Sequence, residues 1–88
     1  MSTFQVLVEV RLRPGIADPE GATVERALPA LGFAGVHGVR MGKAIRFEVE
    51  SAGVEEARRT VEELCRRLLT NPVIEDAAIE VSPPSEGA

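Results

Sequence analysis

The chain has 88 residues and a net charge of −4, and its composition is 44% hydrophobic and 27% charged, which allows one globular domain and no more. A domain this small buries only roughly 60–65% of the surface that its unfolded chain exposes, so oligomerisation is a common way for it to gain buried area. The acidic charge and the scarcity of aromatic residues argue against a nucleic-acid partner, and no membrane span or signal peptide is recognisable, so we expect a cytoplasmic protein.

The first predicted element is a strand over residues 3–12, where apolar and polar side chains alternate. This period of two is typical of a strand with one buried face. Leu7 is the exception, since it falls on the polar face. Pro14 and Gly15 should end the strand.

A helix is predicted to follow, because Asp18 before Pro19 has the pattern of an acidic N-cap and a proline at the first helical position. Val24 and Leu31 lie on its apolar face, which should cover the sheet. Pro29 lies inside this pattern. Because proline lacks a backbone donor and clashes with the preceding turn, we expect the helix to kink or to end early there.

A hairpin is predicted next. Residues 36–41 have the pattern of a short strand, weakened by Gly38, and the apolar side chains between Ile45 and Val49 alternate with charged ones. The dipeptide Met41-Gly42 would form the turn between the two strands.

The second predicted helix covers residues 53–69, where glutamates precede arginines at the i, i+4 spacing that stabilises helices. The apolar face includes Val61, Cys65 and Leu68. A cysteine in such a setting behaves as a small core residue, so Cys65 is predicted to be structural. Asn71-Pro72 should stop the helix, and residues 73–81 should form the last strand.

The predicted element order is βαββαβ. This order favours an α+β fold, a two-layer ferredoxin-like sandwich in which both helices cover one face of a four-stranded antiparallel sheet. We expect a single domain over residues 1–82. Residues 83–88 are rich in Pro, Ser and Gly and are predicted to form a flexible C-terminal tail.

Few side chains could carry chemistry. His37 is the single histidine, and it has no partner at ligand spacing, so it is not predicted to bind a metal. Cys65 is assigned to the core. We therefore expect no catalytic residue, no cofactor-binding residue and no metal ligand in this chain.

The uncovered face of the predicted sheet is a candidate interface. It should carry small and apolar side chains among charged ones, and on so small a domain such a face indicates a partner surface. We expect the chain to associate with itself, at least as a dimer, with Leu7, Ile74 and Ala78 as contacts. Pairing of strand edges, such as the strand that contains Gly38, is the alternative geometry.

Four segments carry a family resemblance. They are the loop Arg13–Gly21, the helix end Ala27–Phe33, the turn Val39–Lys43 and the helix-to-strand passage Cys65–Asp76. In this order and at these separations they resemble the PurS family, the small subunits of phosphoribosylformylglycinamidine (FGAM) synthase. The resemblance covers residues 4–81.

The resemblance implies a PurS-like fold and a non-catalytic role in purine biosynthesis. The synthase converts formylglycinamide ribonucleotide to formylglycinamidine ribonucleotide. Its large synthetase subunit, PurL, would bind the nucleotide and use ATP and Mg, and its glutaminase subunit, PurQ, would release ammonia. This chain would bind no cofactor of its own, and it would support assembly of PurL with PurQ and ammonia transfer between them.

The segment Arg40-Met41-Gly42-Lys43 is, by its pattern alone, a solvated hairpin tip. Because the family resemblance includes this basic turn, Arg40 and Lys43 are expected to dock on an acidic patch of PurL or PurQ. Gly42 is expected to shape the turn through a backbone angle that other residues resist.

A regulatory domain of the same fold, which senses a small molecule, is the second interpretation. Such domains also dimerise and bind effectors between chains. A free-standing enzyme is the third.

Overall fold

The computed structural model of the chain describes residues 1–83. The predicted α+β fold is confirmed in its main elements, which occur in chain order as β1 (Ser2–Leu12), α1 (Pro19–Ala27), a 3₁₀ turn (Pro29–Leu31), β2 (Gly42–Ser51), α2 (Val54–Leu64), a π-helical turn (Cys65–Leu69) and β3 (Glu75–Ser82). The three strands form an antiparallel sheet in the order β2-β1-β3. The long first strand is therefore the centre of the sheet.

The core lies between β1 and α2. The alternation predicted for β1 is confirmed, since Val6, Val8 and Val10 are buried on one face of the sheet. Val61 of α2 and Cys65 of the π-helical turn that follows it pack against them. Burial of each such aliphatic side chain contributes roughly 1.5–3 kcal/mol. Cys65 is a buried, free thiol, as predicted, and burial raises its pKa above the usual value.

The predicted fourth strand is wrong for the described part of the chain, and so is the hairpin that depends on it. Residues 36–41 form no strand, and Gly38 has a positive φ of 73°, outside the region that strands use. The donors of this segment are also occupied. The amide of Val39 donates to the Glu25 carboxylate, and the amide of Met41 donates to Asp18. A strand beside β2 would need these donors for its ladder.

Pro29 ends helix α1. The α-helix stops at Ala27, and Pro29 begins the 3₁₀ turn, which closes at Gly32 with a positive φ of 92°. Because proline cannot donate to the preceding turn, the chain continues only through the tighter 3₁₀ turn. Of the two expectations at this position, the early end is the correct one.

The π-helical turn changes which side chain reaches the core after α2. The amide and the hydroxyl of Thr70 both donate to the carbonyl of Cys65. The wider turn takes Leu69 to the core, whereas Leu68 is 74% exposed. The prediction that Leu68 lies on the apolar face is therefore wrong, because regular helical spacing does not continue past Cys65.

Helix α1 does not cover the sheet. Helix α2 packs against β2 and β3, whereas α1 packs chiefly against the 3₁₀ turn that follows it. The molecule measures 52 × 35 × 15 Å with a radius of gyration of 16.9 Å, against about 12 Å for a compact chain of this length. We call residues 18–41, which leave the sheet and return to it, the arm.

Two further sequence predictions concern the C-terminal tail and the absence of a membrane span. Apart from Pro83, the predicted flexible tail of residues 83–88 lies outside the described residues. No helix within residues 1–83 has both the length and the apolar character needed to cross a membrane.

Candidate functional site

The arm is held closed at its base by the side chain of Asp18. One carboxylate oxygen accepts a hydrogen bond from the amide of Gly21 at 2.8 Å, and the other accepts one from the amide of Met41 at 2.8 Å. The guanidinium Nε of Arg40 lies 3.8 Å from the second oxygen, and the Asp18 side chain is only 6% exposed. A single residue thus caps α1 and joins it to the residues that enter β2. We call this arrangement the clasp.

The clasp lowers the pKa of Asp18. The hydrogen bond from Gly21 is the largest cause, followed by that from Met41, and the charge of Arg40 acts in the same direction, while burial acts against them. Because the folded-state pKa is lowered, the stabilisation from this carboxylate is present above its ordinary pKa. It is lost as the pH falls through the lowered value.

Gly21 is required by the packing of the clasp. A Cβ atom at this position would lie 2.5 Å from the carbonyl oxygen of Val39 and 2.8 Å from Asp18 Oδ2. The amide of Val39 is itself fixed by a 2.9 Å hydrogen bond to Glu25. The helix and the returning chain can approach this closely only because residue 21 has no side chain.

The structure places the three predicted docking residues at the base of the arm, together but not on a hairpin tip. Arg40 precedes β2, pairs with Asp18 and donates to the carbonyl of Ile16 at 3.4 Å. Lys43 Nζ lies 4.0 Å from Glu75 Oε2. Arg40, Gly42 and Lys43 line one cleft of about 300 Å³.

The backbone angle expected of Gly42 is wrong. The positive φ values among the described residues belong to Gly15, Gly32 and Gly38. Gly42 is required for a different reason, because a Cβ there would lie 2.7 Å from the carbonyl oxygen of Val10 in the neighbouring strand. The residue therefore allows β2 to begin against β1.

The open face of the sheet contains two of the three predicted oligomer contacts. Leu7 and Ala78 lie in adjacent rows of this face. Ile74 precedes β3, and its carbonyl accepts a 2.8 Å hydrogen bond from the amide of Arg13. The face encloses a cleft of about 350 Å³ lined in part by Leu7, Arg46 and Glu80.

The arm exposes large apolar side chains. Leu31 is 69% exposed and Phe33 is 54% exposed, and the same class includes Val24, Val36 and Met41. The prediction that Val24 and Leu31 cover the sheet is wrong within this chain, because α1 projects from it. The sequence itself carries a signal of this exposed surface. The stretch from Ala27 to Val39 has no Asp, Glu, Lys or Arg, which is unusual for a solvated loop.

The core side of β2 is incompletely covered, just as the apolar side chains of the arm are. Ile45, Phe47 and Val49 point towards the core layer, but each is only half-buried, since α1 is not there to cover them. No group of three or more His, Cys, Asp or Glu side chains within residues 1–83 is arranged to hold a metal ion. The exposed arm and the half-covered sheet are features of a small α+β subunit that completes its core with another chain.

Comparison with known proteins identifies the family. The family profile of PurS, phosphoribosylformylglycinamidine (FGAM) synthase, matches residues 5–83. The PurS subunit of this synthase from Methanocaldococcus jannaschii is 41% identical over 78 residues, which cover 89% of this chain and 94% of that protein. The corresponding subunit of Methanothermobacter thermautotrophicus is 40% identical over 79 residues, covering 90% and 93%. The chain belongs to the PurS family.

Solved structures agree with this assignment. The structure of PurLQS from Thermotoga maritima contains a chain that superposes with a TM-score of 0.85 at 36% identity, covering 92% of this chain and 99% of that one. PurS from M. jannaschii, one of the subunits of formylglycinamide ribonucleotide amidotransferase in the purine biosynthetic pathway, superposes with a TM-score of 0.84 at 38% identity, covering 93% and 99%. These matches establish the chain as a small subunit of the PurS type.

Proposed function

We propose that this chain is the small subunit of an FGAM synthase complex, in which it supports assembly of the PurL synthetase and PurQ glutaminase subunits and ammonia transfer between them. The observation that carries the proposal is the superposition on a chain of the PurLQS structure over nearly the full length of both. ATP and Mg would be used by PurL, whereas this chain would contribute the surfaces that its partner subunits bind. A cytoplasmic location fits the composition and the pathway.

The working form of the subunit is at least a dimer, and the arm is the element that joins the two copies. In this arrangement the arm of each copy packs its apolar side chains on the other copy's sheet, beside β2. Two observations support the exchange: the arm exposes Leu31 and Phe33, and the core side of β2 is only half-buried. Exchange of one element between identical chains satisfies both at once, and it produces a closed two-fold dimer.

Complex assembly gives the direct test of the function. Purified PurL and PurQ from the same organism should form FGAM from glutamine slowly without this chain and at least tenfold faster with it. Formation from added ammonia should depend on the chain much less, because ammonia then needs no transfer from the glutaminase. The rates are measured by ATP consumption with each nitrogen source.

Two results would contradict the proposal. Equal glutamine-dependent rates with and without the chain would exclude an assembly role. Thermal stabilisation of the isolated chain by a small effector, combined with such equal rates, would instead support the small-molecule-sensing regulatory domain.

The cleft at the base of the arm is the proposed docking point for an acidic patch on PurL or PurQ. Arg40 already pairs with Asp18, so its loss would weaken the clasp as well as any contact with a partner. Lys43 is the cleaner probe, since its ammonium lies at 4.0 Å from Glu75 and its side chain is 64% exposed. The lysine end of this pair is in solvent and the two charged groups lie at the limit of ion-pair distance, so the pair contributes little to stability.

We expect Lys43→Ala to fold and dimerise like the parent but to bind PurL or PurQ several-fold more weakly. Arg40→Ala should lose binding and also melt at a lower temperature. Arg59→Ala, which removes an exposed cation from α2, is the matched control. Binding is measured by calorimetric titration of each variant. If the Lys43→Ala variant binds PurL and PurQ with the parental affinity, Lys43 is not part of the docking site.

A further inference from the structure

We propose that Lys43 is an acylation site, where a small acyl phosphate transfers its acyl group to the lysine amine and so blocks the cleft at the base of the arm, which we call the docking cleft. Lys43 is the single lysine of the chain, and it lines this cleft. The modification itself is a property of the isolated chain. Its effect on complex assembly rests on the proposed function.

The docking cleft is basic although the chain as a whole is acidic. Its lining contains three cationic side chains, Arg11, Arg40 and Lys43, and one carboxylate, that of Glu9, whereas the net charge of the chain is −4. A cleft lined mainly by one sign of charge concentrates small ions of the opposite sign. The docking cleft therefore attracts anions to the one lysine of the chain.

Both arginines have donors left for an anion. Arg11 approaches Glu9 through Nε at 3.4 Å, and Arg40 approaches Asp18 through Nε at 3.8 Å. A guanidinium carries several N–H donors besides Nε, and the two arginine side chains are 60% and 51% exposed. Each arginine can therefore bind a phosphate oxygen without giving up its present partner.

The dimensions of the docking cleft favour a small acyl donor. Its volume is about 300 Å³, at the lower end of the range for ligand pockets. Gly42 contributes to this space, because a Cβ at that position would lie 3.9 Å from Cγ of Arg11 and would narrow the cleft. A short acyl phosphate fits such a site, whereas most of an acyl thioester on a nucleotide carrier would remain outside it.

On its other side Lys43 faces carboxylates. A second cleft, of about 360 Å³, is lined in part by Lys43, Asp18, Glu20 and Glu75. Lys43 Nζ lies 4.0 Å from Glu75 Oε2, and Glu75 Oε1 accepts a 2.7 Å hydrogen bond from the amide of Asn71. The lysine nitrogen thus lies between cations that bind the donor's phosphate and a fixed carboxylate that can accept a proton.

The transfer step balances in atoms and protons. The Lys43 ammonium first loses one proton to solvent. The neutral amine then attacks the acyl carbon, so that a C–N bond forms and the bond between the acyl carbon and the phosphate oxygen breaks. The nitrogen passes a second proton, through Glu75 Oε2, to the departing phosphate. The products are an amide and inorganic phosphate, and nothing is oxidised or reduced.

Acylation changes the docking cleft in two ways. The amide carries no charge, so Lys43 can no longer pair with Glu75 or with an acidic patch on a partner subunit. The acyl group also enlarges a side chain within a small cleft. Acylated chains should therefore bind PurL or PurQ as weakly as Lys43→Ala does.

Selectivity within one molecule tests the site. In the Arg59→Lys variant a second amine lies on the exposed surface of α2, outside the docking cleft. The variant is incubated with acetyl phosphate and cleaved after arginine, and the acetylated peptides are quantified by mass spectrometry. Lys43, in the peptide of residues 41–46, should react about tenfold faster than the amine at position 59, the lower limit of electrostatic concentration in a charged cleft. N-acetoxysuccinimide, an uncharged acetyl donor, should acetylate both amines at similar rates.

Removal of a cleft arginine tests the phosphate contact. In the same background, Arg11→Gln should abolish most of the preference of acetyl phosphate for Lys43 and leave the rates with the uncharged donor unchanged. Arg67→Gln removes an exposed cation of the π-helical turn, outside the docking cleft, and should leave the preference intact. Added salt should reduce the preference as well, because it screens the charges of the cleft.

Binding measurements connect the modification with assembly. The parent chain acetylated at Lys43 should bind PurL or PurQ several-fold more weakly in calorimetric titration than the untreated chain. The same treatment should not weaken binding by Lys43→Ala any further, since that variant has no amine in the docking cleft.

Three results would overturn the proposal. The first is equal reactivity of the two amines towards acetyl phosphate. The second is a preference for Lys43 that the uncharged donor or the Arg11→Gln variant reproduces in full. The third is parental affinity of the acetylated chain for both PurL and PurQ. None of these results changes glutamine-dependent FGAM formation with the untreated parent chain, so failure of this inference is distinguishable from failure of the proposed function.

Discussion

Replacing Gly21 by alanine should lower the free energy of unfolding by about 1–3 kcal/mol, the range for an overpacked site, and should dissociate the dimer. The added Cβ would lie 2.5 Å from the Val39 carbonyl oxygen. That carbonyl has little freedom to retreat, because the Val39 amide is bound to Glu25 and the Met41 amide is bound to Asp18. Relief of the clash therefore requires the clasp to open, and the arm then loses the conformation in which it reaches a second copy.

The matched control for this substitution is Gly35→Ala. Gly35 lies in the same arm, its φ is not among the positive values, and a Cβ there would meet no atom within 4 Å. Thermal unfolding and sedimentation of both variants separate a local clash from a general effect of adding a methyl group to the arm. A Gly21→Ala variant that melts and sediments like the parent would show that the clasp is not needed for either property.

The sheet and α2 could be predicted from the sequence because the spacing of apolar residues along each element is a local property. All of these apolar residues also pack into one core. The alternation in β1 and β2 and the apolar face around Val61 and Cys65 describe the same buried layer. The predicted strand over residues 36–41 is wrong because carboxylates from elsewhere in the chain accept hydrogen bonds from its backbone amides. Nothing in the pattern of residues 36–41 indicates that Glu25 and Asp18 would bond to this segment, since bonds over such separations follow from the folded path.

Helix α1 shows a different limit of sequence patterns. Its apolar face was predicted, and the apolar residues are indeed there, but the pattern does not specify which chain covers them. An apolar stripe fits its own sheet and the same sheet of a second copy equally well, because the two surfaces are identical. Within one chain, α1 packs chiefly against the 3₁₀ turn that begins at Pro29, and the clasp joins its N-terminus to the residues that enter β2.

The three residues predicted to form a docking site lie together in the structure, but not on the hairpin tip that the sequence predicted. Their proximity follows from the sequence, because Arg40 lies just before β2 and Gly42 and Lys43 are its first two residues. Their structural partners were not predictable from the segment itself. Asp18 was predicted as the helix N-cap, whereas its second hydrogen bond, to the Met41 amide, depends on the return of the arm. Gly42 was singled out for its backbone angle, but the close approach of Val10 is what excludes a side chain there.

The double substitution Leu31→Glu with Phe33→Glu should convert the subunit to a monomer and remove its support of glutamine-dependent FGAM formation. Both side chains are exposed in the single chain, at 69% and 54%, so the change costs little in the monomer itself. Burial of each in a dimer contributes roughly 1.5–3 kcal/mol. Two glutamates lose this contribution and would also have to be desolvated without a counter-charge, which costs more. The dimer dissociation constant should therefore rise more than a hundredfold.

The control is Leu68→Glu with Val73→Glu. These residues are even more exposed, at 74% and 80%, and they lie after α2 and before β3, outside the arm. The two double variants carry the same change in charge, and each replaces two exposed apolar side chains by glutamate, so they differ chiefly in where those side chains lie. Sedimentation at matched concentrations should give a monomer for the arm variant and a dimer for the control, while circular dichroism shows both folded. A dimeric arm variant, or a monomeric control, would move the dimer contact away from the arm and leave the exposure of Leu31 and Phe33 to be explained by PurL or PurQ.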